Sequence, residues 1–178
     1  MKVFFFNLIW INFDGLFFCH SNIPLFDIYL ELLDTNNYDG KMKQFIEKIT
    51  FKTEKNEMLN ITKIIEDTIK KSDIIDGLLN ISILHTSCSL LIQENADFSV
   101  VEDIKNFLKR IAPEDNYLHN TEGPDDMPAH LKSLLTQSNL TMSVKNKKII
   151  LGTWQGIFLI EHRYQQKNRE LLFHLLGE

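Results

Sequence analysis

The chain has 178 residues, 44% of them hydrophobic and 24% charged, with a formal net charge of -5. That is enough for one domain with a real core, too little for two ordinary ones, and too apolar for a disordered chain. The acidic balance argues against a generic nucleic-acid binder, which carries a basic footprint. The one dense basic run, "KNKK" from Lys145 to Lys148, reads as a hairpin tip.

The first stretch, "MKVFFFNLIWINFDGLFFCHS", opens with one lysine and an apolar run, loosely like a secretory signal. Asn7, Asn12 and Asp14 interrupt it, and no small-residue cleavage site follows. It is too short and too broken for a spanning helix, which needs roughly 20 apolar residues, so no stable membrane insertion is expected. A targeting segment, a lineage-specific extension and a misassigned start all remain open for residues 1–40. "LDTNNYDGK" then reads as a linker, which places one domain at 41–178. Cys19 and Cys88 cannot build a disulfide framework or a cysteine zinc cluster. Of three glycosylation sequons, at Asn60, Asn80 and Asn139, the second falls inside an apolar strand pattern. The expectation is a reduced, cytoplasmic protein, with targeting or secretion left open by the extension.

From Lys41 the elements follow in order. "QFIEKITFK" is a first strand. Asn60 can cap a helix with Ile61, Ile64, Ile65 and Ile69 on one face. "GLLNISILHTS" reads as a buried strand ending near His85, and "SLLIQE" as its hairpin partner. "NADFSVVEDIKNFLKRIAP" is a helix capped by Asp97 or Ser99, with Val101, Ile104, Leu108 and Ile111 along one face and Pro113 as its stop. A short helix starts around Met127. The strands "LTMSV", "KKIILG", "GIFLIEHRY" and "RELLFHLLGE" close the chain. This order implies an α+β fold: a compact single domain with largely antiparallel β-sheets and a few flanking helices.

Six histidines carry most of the chemical signal. His20 lies in the extension, and His174 reads as a half-buried sheet residue. His85 in "ILHTS" and His162 in "LIEHR" stand at the polar ends of apolar strands, where a rigid sheet presents side chains into a site. His130 falls in the first turn of the short helix, which Asp125 or Asp126 can cap and in which Pro128 is tolerated. If these three converge, they supply the ligand count of a catalytic zinc centre. Spacing alone does not establish that, since no two of them share a local motif. "GTWQGI" brackets Trp154 and Gln155 with glycines, which suits either a close backbone approach to a ligand or a bulge with Trp154 in the core. Arg163 is a candidate for bidentate anion binding. A Cys88–His85 nucleophile is disfavoured, because adjacency along a strand and turn does not orient the pair.

Taken together, "HTS", "ENAD", "PED", "EGPDDMPAH", "GTWQGI" and "EHR" resemble the YjbQ-like family, whose members are often labelled secondary thiamine-phosphate synthase enzymes. The resemblance runs from about Lys41 to Glu178. It implies a homotrimer with a histidine-rich metal and anion site. It assigns metal-ligand roles to His85, His130 and His162, with zinc the expected divalent ion. Thr86, Asn95, Trp154, Gln155 and Arg163 become substrate- or anion-binding residues, and Asp97 and His119 become groups that orient reactants. Ser87 stands where the family usually has a second threonine. Cys88 and Ser89 replace small residues, which further lowers any catalytic role for Cys88. Nothing in the resemblance covers residues 1–40.

The activity implied is thiamine-phosphate synthase-like transfer on a phosphorylated small molecule, in which a thiazole phosphate displaces pyrophosphate from a pyrimidine diphosphate. Three other readings stay open: a non-catalytic metal or phosphometabolite-binding protein, a metal-dependent hydrolase using the same three histidines, and a structural trimer whose metal holds the subunits together.

Overall fold

The structure is a computed structural model and describes residues 41–178; the expectations for residues 1–40 lie outside them. β1 (Lys43–Thr53) pairs antiparallel with the last strand, β8 (Lys167–Gly177), along its whole length, from Lys43↔Gly177 to Thr53↔Lys167. β8 also pairs with β3 (Gly77–Ile83), which pairs in turn with β5 (Asn139–Lys145), and β6 (Lys148–Ile149) completes a five-stranded sheet ordered β1-β8-β3-β5-β6. A second sheet has the order β2 (Met58–Asn60), β7 (Gln155–Glu161), β4 (Cys88–Glu94). Three helices accompany them: α1 (Thr62–Lys71), α2 (Phe98–Ile111) and α3 (Asp126–Leu135). The fold is α+β with antiparallel sheets, as the sequence implies.

Alternation explains the larger sheet. Leu140, Met142 and Val144 of β5 point inward while their neighbours face out. Leu171, Phe173 and Leu175 of β8 do the same, and all meet Ile65 and Ile69 of α1 in one core. Each such side chain contributes about 1.5–3 kcal/mol through burial. Ile64, expected on that face, stays 40% exposed. Gly77 and Gly177 face each other in the β3–β8 ladder, and a Cβ at Gly77 would lie 2.1 Å from the Leu176 carbonyl oxygen. The hairpin expected at "KNKK" forms: Lys145 pairs with Lys148, and Asn146 and Lys147 both adopt positive φ, as a two-residue turn requires.

Two expectations need correction. β4 is not the hairpin partner of β3, since the strands belong to different sheets and β4 pairs with β7 from Cys88↔Glu161 to Glu94↔Gln155. Adjacent apolar runs joined by a few residues look alike whether they pair or cross between sheets. "KKIILG" yields only the two-residue β6, and Met58–Asn60 adds a short strand that no alternation could announce. β7 is a central strand whose residues Gly156–Glu161 are all buried, which is why "GIFLI" has no polar alternation.

Candidate metal centre

The site is built at the start of α3. Gly123 takes a φ of +111° and turns the chain into the helix. Pro128 falls in the first turn, where its missing N–H has no intrahelical partner to lose. Asp125 occupies the capping position but does not cap; its Oδ2 accepts from Arg163 Nε at 3.0 Å and from the Tyr164 backbone N–H at 2.7 Å. Asp126 also binds the guanidinium, through Oδ1 and Arg163 Nη1. Arg163 is itself buried and donates further to the Glu122 carbonyl at 2.8 Å. Burial works against the Asp125 carboxylate, yet the Tyr164 and Arg163 bonds outweigh it and hold it below the usual range. Arg163 is therefore the clamp of two buried carboxylates, and its fork is not turned outward to an anion.

The free oxygen of Asp126 faces two histidines. His119 Nε2 donates to Asp126 Oδ2 at 2.7 Å, and His130 Nε2 stands 3.7 Å from the same oxygen. Ligand-capable atoms of His119, Asp126 and His130 all lie within 4.8 Å of one another. His130 Nδ1 lies 3.0 Å from the Thr86 carbonyl oxygen, which can only accept, so Nδ1 donates there and Nε2 is the nitrogen turned toward Asp126. Metal-binding histidines commonly show this arrangement, with the other ring N–H tied to a carbonyl. Two imidazoles and one carboxylate form a zinc-type donor set with positions left over. The side chain of Asp126 is 3% exposed while those of His119 and His130 are 47% and 32%, so the cluster has a buried floor and an open mouth.

The other candidate residues sit elsewhere. His85 Nε2 accepts from the Glu170 backbone N–H at 2.8 Å, and burial with nearby Arg169 lowers its pKa. His162 is 2% exposed and shares a 2.8 Å hydrogen bond with Ser89; burial, with Lys132 and Arg169 nearby, pushes its pKa down to about 3. Neither belongs to the His119–Asp126–His130 group. Thr86 contributes its carbonyl. Asp97 caps α2, accepting from the Ser99 N–H and hydroxyl at 2.8 Å each. Gln155 Oε1 accepts from the Gly152 N–H, and the Asn95 N–H donates to the Trp154 carbonyl. Trp154 is 65% exposed, so it is not the core of a bulge. Asn95, Trp154 and Gln155 lie at the Glu94–Gln155 end of the β4–β7 pair, six residues or about 20 Å from the Cys88–Glu161 end that adjoins the histidines. Burial raises the Cys88 thiol to about 12, which leaves it inert as a nucleophile.

The family resemblance gives His119 an orienting role, and the sequence reads Asp126 as a possible helix cap. The signal for their convergence with His130 was present: Asp126 and His130 are four apart, one helical turn, on the same face. No helix among the described residues is long and apolar enough to cross a membrane.

With this geometry established, comparison with known proteins identifies the lineage. The family described as UPF0047 protein YjbQ-like matches residues 47–178. A UPF0047 protein of Synechocystis is 41% identical over 138 residues, covering 76% of this chain and 94% of its own. The UPF0047 protein YjbQ of Escherichia coli O157:H7 is 44% identical over 103 residues, 57% of this chain and 75% of that one. Among solved structures, a protein of unknown function from Sulfolobus solfataricus P2, described as YbjQ-like, superposes with a TM-score of 0.72 at 27% identity, covering 78% of this chain and all of its own. The hypothetical protein APE1520 from Aeropyrum pernix K1 gives 0.69 at 26% identity, covering 75% of this chain and 99% of its own. The chain belongs to the YjbQ-like UPF0047 family.

Proposed function

We propose that this protein binds one divalent ion, zinc, through His119, Asp126 and His130, and that the site acts on a phosphorylated small molecule, with thiamine-phosphate synthase-like transfer as the reaction. The observation that carries the reading is the convergence of two imidazole nitrogens and a buried carboxylate oxygen within 4.8 Å, with the His130 tautomer set by the Thr86 carbonyl. A bound ion would supply the positive charge that a phosphate or departing pyrophosphate needs, a role that Arg163, committed to Asp125 and Asp126, is poorly placed to fill.

The proposed assembly is the homotrimer that the family resemblance implies. What supports self-association is the outward face of the larger sheet, where Ile46, Leu78 and Leu176 stand exposed. The proposed setting is the cytoplasm, a reducing compartment in which the buried Cys88 thiol stays free.

The test combines native mass spectrometry, which reads subunit number and bound metal together, with a pyrophosphate-release assay. The expected result is a zinc-loaded trimer that releases pyrophosphate from the two thiamine precursors, with release lost in His130→Ala. Equal release by the variant, or none by the zinc-loaded wild type, removes the proposed reaction.

A further inference from the structure

Ser87, the residue after the Thr86 carbonyl, is gripped by a buried ion pair that plays no part in the site's donor set. Arg169 on β8 donates from Nη2 to the Ser87 carbonyl at 3.3 Å and lies 3.2 Å from the Ser87 hydroxyl. The same guanidinium forks onto Glu161, with Nε 2.6 Å from Oε2 and Nη2 2.5 Å from Oε1. Glu161 is 1% exposed, and two more donors occupy its oxygens: Thr53 Oγ1 on β1 at 2.7 Å and the Arg163 backbone N–H at 2.9 Å.

Both inward-facing members of the metal cluster therefore trace back to one carboxylate. Through Arg169 it holds Ser87, and hence the neighbouring Thr86 carbonyl that accepts from His130 Nδ1–H. Through the Arg163 main chain it holds the residue whose side chain grips Asp126. Buried ion pairs are weak stabilisers, since desolvation cancels most of their attraction, but their bonds are strongly directional.

We propose that Arg169, held by Glu161, is a positioning residue for the His119–Asp126–His130 site, fixing the Thr86–Ser87 backbone so that His130 keeps its proton on Nδ1 and presents Nε2 to a ligand. The consequence for metal affinity rests on the zinc reading above; the consequence for the His130 tautomer does not.

Removing Arg169 alone strands a buried carboxylate and risks unfolding. The test variant is therefore the charge-neutral pair Glu161→Gln with Arg169→Met, and Arg169→Lys serves if that pair does not fold. Nitrogen-15 spectra of the histidine rings read the tautomer, and zinc titration of the full chain reads affinity. In the folded variant the expected result is a His130 ring that no longer favours Nδ1–H, with zinc bound at least about 10-fold more weakly. If the wild type binds no zinc but the tautomer still changes in the variant, positioning stands and the zinc reading falls. An unchanged tautomer with wild-type zinc affinity in a folded variant overturns the proposal.

Discussion

At the Cys88–Glu161 end of the β4–β7 pair, charged groups are buried and matched: Arg163 against Asp125 and Asp126, and Arg169 against Glu161. At the Glu94–Gln155 end of the same two strands, the notable side chains are neutral and mostly exposed: Trp154, Asn95 and Gln155. One pair of strands thus carries a rigid, prepaired end and an open end whose fixed geometry comes largely from backbone contacts. Fixed donors suit a metal, which tolerates little error in ligand placement, whereas an exposed indole and amides suit a surface that meets something later.

The contrast breaks most sharply at the clamp. Arg163→Met leaves two carboxylates buried without their partner, and a loss of about 3–5 kcal/mol is expected in urea unfolding. A loss below about 1 kcal/mol would mean the clamp contributes little to the fold. The prepaired end should also respond to acid. His162 is held neutral at a pKa of about 3, well below its unfolded value near 6.5, so the unfolded chain binds the extra proton between those values. The stability this group contributes is complete above about pH 6.5 and falls by about 1.4 kcal/mol per pH unit as the pH drops toward 3. Comparing His162→Gln with the wild type at pH 7 and pH 5 isolates this slope. Equal slopes would show that His162 is not the group responsible.

The open end should be more tolerant, with one exception. A Cβ at Gly156 would meet Asn95 Cβ at 2.9 Å and Asn60 Nδ2 at 3.0 Å, so Gly156→Ala should cost about 1–3 kcal/mol. Trp154→Ala should change stability by less than about 0.5 kcal/mol, because most of the indole already faces solvent. A large loss there would place the ring in a packed environment and erase the contrast between the two ends.

Much of the fold was legible because periodicity reports burial. Alternation along "NLTMSVK", the isoleucine face of α1 and the two-residue turn at Asn146 and Lys147 are local facts written in local sequence. Sheet membership is not local, which is why β4 seemed to belong with β3. The candidate site divides the same way. His130 near the start of α3, one turn after Asp126, follows from its own ten residues. Yet His119 joins it across a loop, and nothing in "LIEHR" announces that His162 turns inward to Ser89 while the neighbouring Arg163 grips Asp126. Strand-end position suggested presentation to a ligand, but β7 is buried to its last residue and carries His162 into the interior with it.

The central claim is that the proposed ion is held by His130 together with His119 and Asp126, rather than by His130 together with His85 and His162. Zinc content of purified wild type, His119→Ala, Asp126→Asn, His85→Ala and His162→Ala, measured by elemental analysis after equilibration with a weak chelator, addresses it most directly. The account predicts about one ion per chain in the wild type, loss of at least about 10-fold in affinity for the first two variants, and retention in the last two. Retention in His119→Ala together with loss in His85→Ala and His162→Ala would contradict it.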